Sequence, residues 1–353
     1  MKAAVLKEFG APLAIETLPD PEPMAGGVVV DVVAAGVTSY AANVFNGSRN
    51  YALELPVAPG AGGIGRIRAV SPDATTLKVG DWVFCEATVR SRDNAADSIL
   101  QGWTYRTAAA LPLHRLYHHG SYAERMLVPT ENVTPLGEIE PAEAGRWTAL
   151  GRLLVPFGGL IAGDLKAGET LVISGATGGF GGAGVAVALA MGAGLVVATG
   201  RNPGTLDDLV RRFGPRVRAV RMSGVEADDL DNIVKAAAGP IDMVLDFLPR
   251  EATAAQVQAP LATVRHGGRI ILMGGVRSEL ALSYNVLMHK ELTVRGAWMY
   301  SREAIPRMIQ MIRAGLIDLS QFELTEFALS EANDAVAHAA ANAGPRQLTT
   351  IRP

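Results

Sequence analysis

From Thr170 to Gly200 the chain carries no charged side chain, and nine glycines interrupt the run. A membrane-spanning helix needs roughly 20 consecutive apolar residues, so the window is long enough on hydrophobicity alone. The glycines argue against that reading, because they fall where a strand would end and a helix begin. The segment reads as a buried unit of strand, turn, helix and strand. Leu171-Val172-Ile173-Ser174 forms the first strand, Gly175 to Gly182 the turn, and the Ala-rich stretch after Gly181 the helix.

That order has a chemical consequence. Glycines permit a tight turn, let backbone approach a pyrophosphate and allow close packing of helix on strand, while the helix N-terminus presents free N–H groups to an anion. A Gly-x-Gly-x-x-Gly string alone is weak evidence, and here Ala176 fills its first position ahead of Gly178 and Gly181. The strand before it and the helix after it make the reading specific: a dinucleotide held by Ala176, Thr177, Gly178, Gly179, Phe180 and Gly181. The next strand, Leu195 to Thr199, ends in Gly200-Arg201-Asn202, where an NAD-selective site usually places a carboxylate for the ribose hydroxyls. Arg201 would instead welcome a 2′-phosphate, so the expected cofactor is NADP(H). Asp246-Phe247-Leu248-Pro249 and Met273-Gly274-Gly275-Val276 follow the ends of later strands, the edge at which open α/β sheets bind ligands, and are expected to line the nicotinamide half.

Around this unit strands and helices alternate: helices over 205–213, 228–238 and 252–264, and strands over 217–220, 243–246, 269–273 and 292–294. Regular alternation implies a doubly wound, Rossmann-type parallel sheet with helices on both faces. The N-terminal part reads differently. Short apolar runs such as Val28-Val29-Val30 and Trp82-Val83-Phe84, punctuated by Pro and Gly, predict an antiparallel, barrel-like domain. Helices over 302–314 and 330–341 are expected to return to it. The expected domains are thus 1–137 with 298–353, and 138–297. The stretch 93–120 reads as irregular and contains His114, His118 and His119, expected to face solvent or substrate.

With 32 Lys+Arg against 35 Asp+Glu and a net charge of -3, nothing marks a nucleic-acid or polybasic membrane surface. The expected partner is a small molecule. One cysteine, Cys85, excludes a disulfide framework and suits a reducing compartment. Charge at Lys2, Lys7 and Glu8 interrupts any secretory h-region, so a cytoplasmic location is expected.

Several stretches together resemble the medium-chain dehydrogenases/reductases, and within them the zinc-free, quinone oxidoreductase-like branch. They include Met1-Lys2-Ala3-Ala4-Val5, Ala35-Gly36-Val37, Pro56 to Gly60, Val79-Gly80-Asp81-Trp82-Val83, Gly120 to Glu124, the glycine turn, Gly267 to Gly274 and Thr350 to Pro353. The resemblance covers nearly the whole chain. It implies a GroES-like, barrel-like catalytic domain built from both chain ends, a central Rossmann domain with the cofactor between the two, and a homodimer pairing near Leu292 to Val294. Arg346 matches a basic position that touches cofactor phosphates in relatives.

The resemblance also bears on metal. Zinc-dependent relatives carry Cys, His and Glu at the positions of Thr38, Ala61 and Gly62, none of which offers the thiolate, imidazole or carboxylate that zinc prefers. No metal is therefore expected. The negative oxygen of a reduced acceptor then needs hydrogen-bond donors. Tyr40 occupies the place of the proton-relaying Ser or Thr of zinc relatives; Ser39 is a weaker candidate. Asn43 and Ala41 replace the usual Tyr and Asp of the quinone reductases. The expected activity is NADPH-dependent, zinc-independent reduction of a small, mostly apolar conjugated carbonyl, a quinone or enone. The alternatives are a zinc-free NADP-dependent alcohol dehydrogenase, ketone or imine reductase, and a non-catalytic NADPH-binding sensor.

Overall fold

The computed structural model describes all 353 residues and divides into two compact units: 1–151 with 319–343 and 347–353, and 152–318 with 344–346. The boundaries differ from the sequence expectation. The helix Ala304–Arg313 belongs to the second unit, not the first. Its neighbourhood explains this: Met299 and Tyr300, just ahead of it, pack so closely on Gly158 that a Cβ there would clash, and Arg307 stacks 5.4 Å from the Phe157 ring. Nothing in composition marks the crossing at Leu319.

In the first unit, the eleven-residue strand Gly27–Val37 organises a seven-stranded sheet. It pairs antiparallel with Gly63–Val70, with Arg125–Pro129 and, at Ala35 to Val37, with the C-terminal strand Gln347–Arg352. Val28, Val29 and Val30 are all buried in succession, so both faces of this strand are covered and the β-branched run serves both. The sheet is mixed: Gln347–Arg352 also pairs parallel with Glu323–Ala328. The stretch expected to be irregular is more ordered than its sequence suggests. It holds much of a three-stranded sheet, Thr88–Arg90, Ser98–Leu100 and Thr104–Tyr105, and a helix Leu111–Leu116.

The second unit is the parallel sheet. Numbering within it, β1 is Thr170–Ser174, β2 Leu195–Gly200, β3 Val217–Arg221, β4 Ile241–Asp246, β5 Val264–Leu272 and β6 Thr293–Gly296, in the order 3-2-1-4-5-6. The connecting helices are α1 (Gly179–Ala190), α2 (Pro203–Phe213), α3 (Glu226–Ala237) and α4 (Ala254–Ala262). Val172, Val197, Val244 and Ile270 from the central strands pack with Ile233 of α3 and Val257 of α4 in one core cluster. Helix α1 is apolar on all sides and buried from Gly181 through Leu189, which accounts for the uncharged run: it is an internal helix. No helix is long and apolar enough to cross a membrane.

Candidate active site

The strand order reverses between β1 and β4, where Ser174 lies opposite Asp246 in register. At such a switch point the connections leave the carboxyl ends of neighbouring strands in opposite directions and open a crevice for ligands. The glycine turn fills this edge. Gly175 adopts φ +75°, a left-handed conformation that costs other residues strain. The Ala176 N–H donates to the Thr199 carbonyl at 2.9 Å, tying the turn to β2, and the Gly178 N–H donates to the Gly175 carbonyl at 3.0 Å. A Cβ on Gly181 would run into that same carbonyl, so glycine there is a steric requirement.

The first hydrogen bond of α1 runs from the Gly182 N–H to the Gly178 carbonyl. It leaves the N–H groups of Gly179, Phe180 and Gly181 at the open, positive end of the helix. Beside them lies a residue that sequence reasoning missed. The Arg152 guanidinium is 3.4 Å from the point a Gly179 Cβ would occupy, and its Nη1 donates to the Gly344 carbonyl at 3.2 Å. Burial lowers its pKa to about 10, which still leaves it charged at neutral pH. No carboxylate pairs with it. Its signal was weak in sequence, since it lies far upstream of the turn, in the first turn of the proline-containing helix Leu150–Ala162.

The remaining cofactor candidates gather along the same edge. Gly200 is buried, and a Cβ there would clash with the Thr177 side chain. Arg201 is exposed. The Asn202 side chain caps α2 by accepting the Thr205 N–H at 3.1 Å, so its carboxamide oxygen already has a structural use. Phe180 and Phe247 stack with ring centroids 6.4 Å apart. Phe247 donates its N–H to the Ser174 carbonyl, Met273 to that of Asp246 and Gly275 to that of Leu248. Arg346 is 3.8 Å from Asp208 Oδ1, so part of its charge is already answered.

Asp246, the last residue of β4, lies at this edge directly ahead of Phe247. Its carboxyl is 2% exposed, accepts the Leu248 N–H and sits where a Cβ on Gly274 would collide with Oδ2. Its Oδ1 and the Ser174 hydroxyl are both buried without partners. Burial pushes its pKa up to about 7.

In the first unit, Thr38, Ser39 and Tyr40 lead into the short helix Ala41–Phe45. Of the three catalytic candidates, Ser39 and Asn43 are exposed and Tyr40 is held. The Tyr40 ring meets Trp103 edge-on at 6.2 Å, and the Arg49 guanidinium lies 4.0 Å from its centroid. Burial raises its pKa to about 12; Tyr51 adds to this, and Arg49, Thr38 and Trp103 oppose it. Thr38 Oγ1 and Trp103 Nε1 are buried polar atoms without a well-formed hydrogen bond of their own. Tyr40 is therefore a protonated phenol among unsatisfied donors.

The residues at the positions of a catalytic zinc do not fit one. Gly62 adopts φ +75°, and any Cβ would press on the Cys85 carbonyl; Ala61 and Thr38 supply no strong ligand. The buried Cys85 thiol, pushed up to about 12, is not available as thiolate. No three His, Cys, Asp or Glu side chains converge in a metal-binding arrangement. His114 requires a correction, whereas His118 and His119 are half-exposed. His114 is fully buried and accepts the Glu54 N–H at 3.4 Å, and His119 accepts the Ala58 N–H at 3.1 Å. Burial holds both near a pKa of 4. His114 and His119 thus fasten the segment around Pro56, and His118, whose Nε2 lies 2.8 Å from the Pro56 carbonyl, does the same. His118 and His119 also line a cavity of about 620 Å³ with Gln101 and Met126.

Two family models match the chain: the alcohol dehydrogenase GroES-like domain over residues 24–138, and the zinc-binding dehydrogenase domain over 179–314. An alcohol dehydrogenase of Moraxella sp. is 28% identical over 320 residues, covering 90% of each chain. The quinone oxidoreductase of Mus musculus is 25% identical, covering 90% of this chain and 86% of its own. Among solved structures, an alcohol dehydrogenase from Thermus sp. ATN1 superposes with a TM-score of 0.82 over the full length of both chains at 21% identity. A dehydrogenase from E. coli CFT073, solved with NADH, gives 0.80 at 17% identity, covering 99% of this chain and 98% of its own. At such identities these structures establish the fold alone.

Proposed function

Because the chain belongs to the medium-chain dehydrogenase/reductase superfamily, we propose that it is a zinc-independent, NADPH-dependent reductase of small conjugated carbonyl compounds, quinones or enones. The observation that carries the cofactor half is the glycine turn, where three free N–H groups and the Arg152 guanidinium converge beside Gly179. These groups would hold a pyrophosphate. Arg201, exposed at the end of β2 with no acidic residue in its place, would receive the 2′-phosphate.

The dihydronicotinamide, when bound, supplies the hydride. The protein's part is positioning and charge. As the acceptor oxygen becomes negative, a donor must meet it, and Tyr40, kept protonated by burial, supplies that hydrogen bond. For an enone the reduced carbon is the β-carbon, and the proton completing the product arrives at the α-carbon from solvent. The unsuitable set Thr38, Ala61 and Gly62 supports a reaction run without zinc. The same phenol could protonate a simple ketone or imine, and the likeness to the Moraxella alcohol dehydrogenase keeps that second reading in play.

A homodimer accompanies this reading. Strand β6 ends the parallel sheet, and Tyr284, Val286, Met288 and Trp298 near it are exposed, an apolar set that pairing of two β6 edges would cover. Purified protein supplied with NADPH and a panel of quinones, enones, ketones and cyclic imines tests the proposal. Oxidation of NADPH with the conjugated acceptors is expected; tight binding of NADPH without turnover of any acceptor would leave a sensor.

A further inference from the structure

One cation near Tyr40 has no carboxylate to answer it. Arg90, Arg92, Arg115, Arg125 and Arg146, in the same unit, each face an acidic side chain within 4 Å. Arg49 faces none. Its backbone is fixed, with the Arg49 N–H donating to the Asn43 carbonyl at 2.9 Å and Asn50 closing the turn onto Gly47. Its side chain is fixed as well: the guanidinium carbon lies 4.0 Å from the Tyr40 centroid and 5.6 Å from that of Tyr51, and Nε donates to the Tyr51 hydroxyl at 3.3 Å.

A guanidinium carries five N–H donors. One is used here, and the two terminal nitrogens keep a fork of the shape that binds a carboxylate through two parallel hydrogen bonds. Arg66, which also lacks a carboxylate, is used differently, lying over Trp82 and reaching the Gly80 carbonyl. Arg49 alone combines an unanswered charge, two aromatic supports and contact with Tyr40, the proposed hydrogen-bond donor.

We propose that Arg49 is the anion-receiving residue of the substrate site, and that the physiological acceptor is a conjugated carbonyl compound carrying a carboxylate. This rests on Tyr40 facing the reacting carbonyl, and it narrows the acceptor from a wholly apolar molecule to an apolar body with one acidic group. Tyr40 and Tyr51, both partly exposed, supply the aromatic surface, backed by the buried Trp103 and Phe45; Arg49 fixes the acidic end.

The test uses a matched pair, (E)-4-oxo-4-phenylbut-2-enoate and its methyl ester, with the purified protein. Calorimetric binding and NADPH oxidation are both followed for wild type, R49Q and R49K, with thermal melting to verify folding. The acid should bind, and react where reduction occurs, roughly tenfold or more better than the ester, as a charge-assisted bidentate pair supplies. In R49Q the acid-to-ester ratio should collapse to about one, mainly through KM, with R49K in between. Equal preference in wild type, or an unchanged ratio in R49Q, overturns the role of Arg49. Should neither compound oxidise NADPH while the acid still binds through Arg49, the reading of the reaction fails and the anion site stands.

Discussion

The guanidinium of Arg152 packs 3.4 Å from the position of an absent Gly179 Cβ, in van der Waals contact with the start of α1. The pair places a half-buried positive charge beside three free backbone N–H groups. Both contribute to an electropositive pocket at the start of α1, and neither distinguishes one dinucleotide from another, because the pyrophosphate is common to all. Arg152→Gln should therefore weaken NADPH and NADH alike, by roughly tenfold or more given the worth of a charge-assisted hydrogen bond. Fluorescence titration of both cofactors checks this. A loss confined to one of them would remove Arg152 from the pyrophosphate.

Arg201 has the opposite expectation. It stands exposed beyond the buried Gly200, where the 2′-position of the adenosine ribose would lie in the proposed reading. Arg201→Ala should cost NADPH roughly tenfold or more in affinity and leave NADH nearly unchanged. Equal losses for both cofactors would sink the phosphate-binding role.

How far the sequence discloses these features depends on how local their causes are. Strand β1 was expected over Leu171 to Ser174 and spans Thr170–Ser174, because an apolar run that stops at Gly175 reads locally as a buried strand. Helix α4 is shorter than expected, Ala254–Ala262, since Thr253 caps its start with a side-chain and backbone exchange with Gln256. Arg152 and His114 were not legible. What matters about Arg152 is a guanidinium laid against a turn far along the chain, and what matters about His114 is burial under the Glu54 to Ala58 segment. Neither leaves a periodic or spacing signal. Asp246 reads in sequence like any acidic residue ending a strand; its burial becomes visible only once Gly274 is seen packed on its carboxyl.

Asp246 makes stability depend on pH. Burial moves its carboxyl from 3.8 up to about 7, so the folded chain holds a proton that the unfolded chain gives up near pH 4. The stabilisation is complete below about pH 4, falls as pH rises, and is lost above about pH 7. Asp246→Asn removes the ionisation. Its melting temperature relative to wild type should climb between pH 4.5 and pH 8, by an amount bounded at about 4 kcal/mol in stability. A difference that stays flat across that range would mean Asp246 titrates normally.

Tyr40 should matter for turnover more than for binding. Tyr40→Phe keeps the edge contact with Trp103 and the stack with Arg49 but removes the donor, so kcat is expected to fall roughly a hundredfold with KM little changed. With a phenol pKa of about 12, the wild-type rate should show no ionisation of Tyr40 below about pH 10. Unaltered kcat in the variant would assign the oxygen-stabilising hydrogen bond elsewhere.

In the proposed reaction a conjugated acceptor is reduced without metal. Its most direct test is turnover of a simple enone with NADPH deuterated at both C4 positions, using protein dialysed exhaustively against a zinc chelator. Deuterium at the β-carbon of the saturated ketone, at a rate unchanged by the dialysis, is the predicted result. Deuterium at the carbonyl carbon of an alcohol, or activity lost to the chelator and restored by zinc, would contradict it.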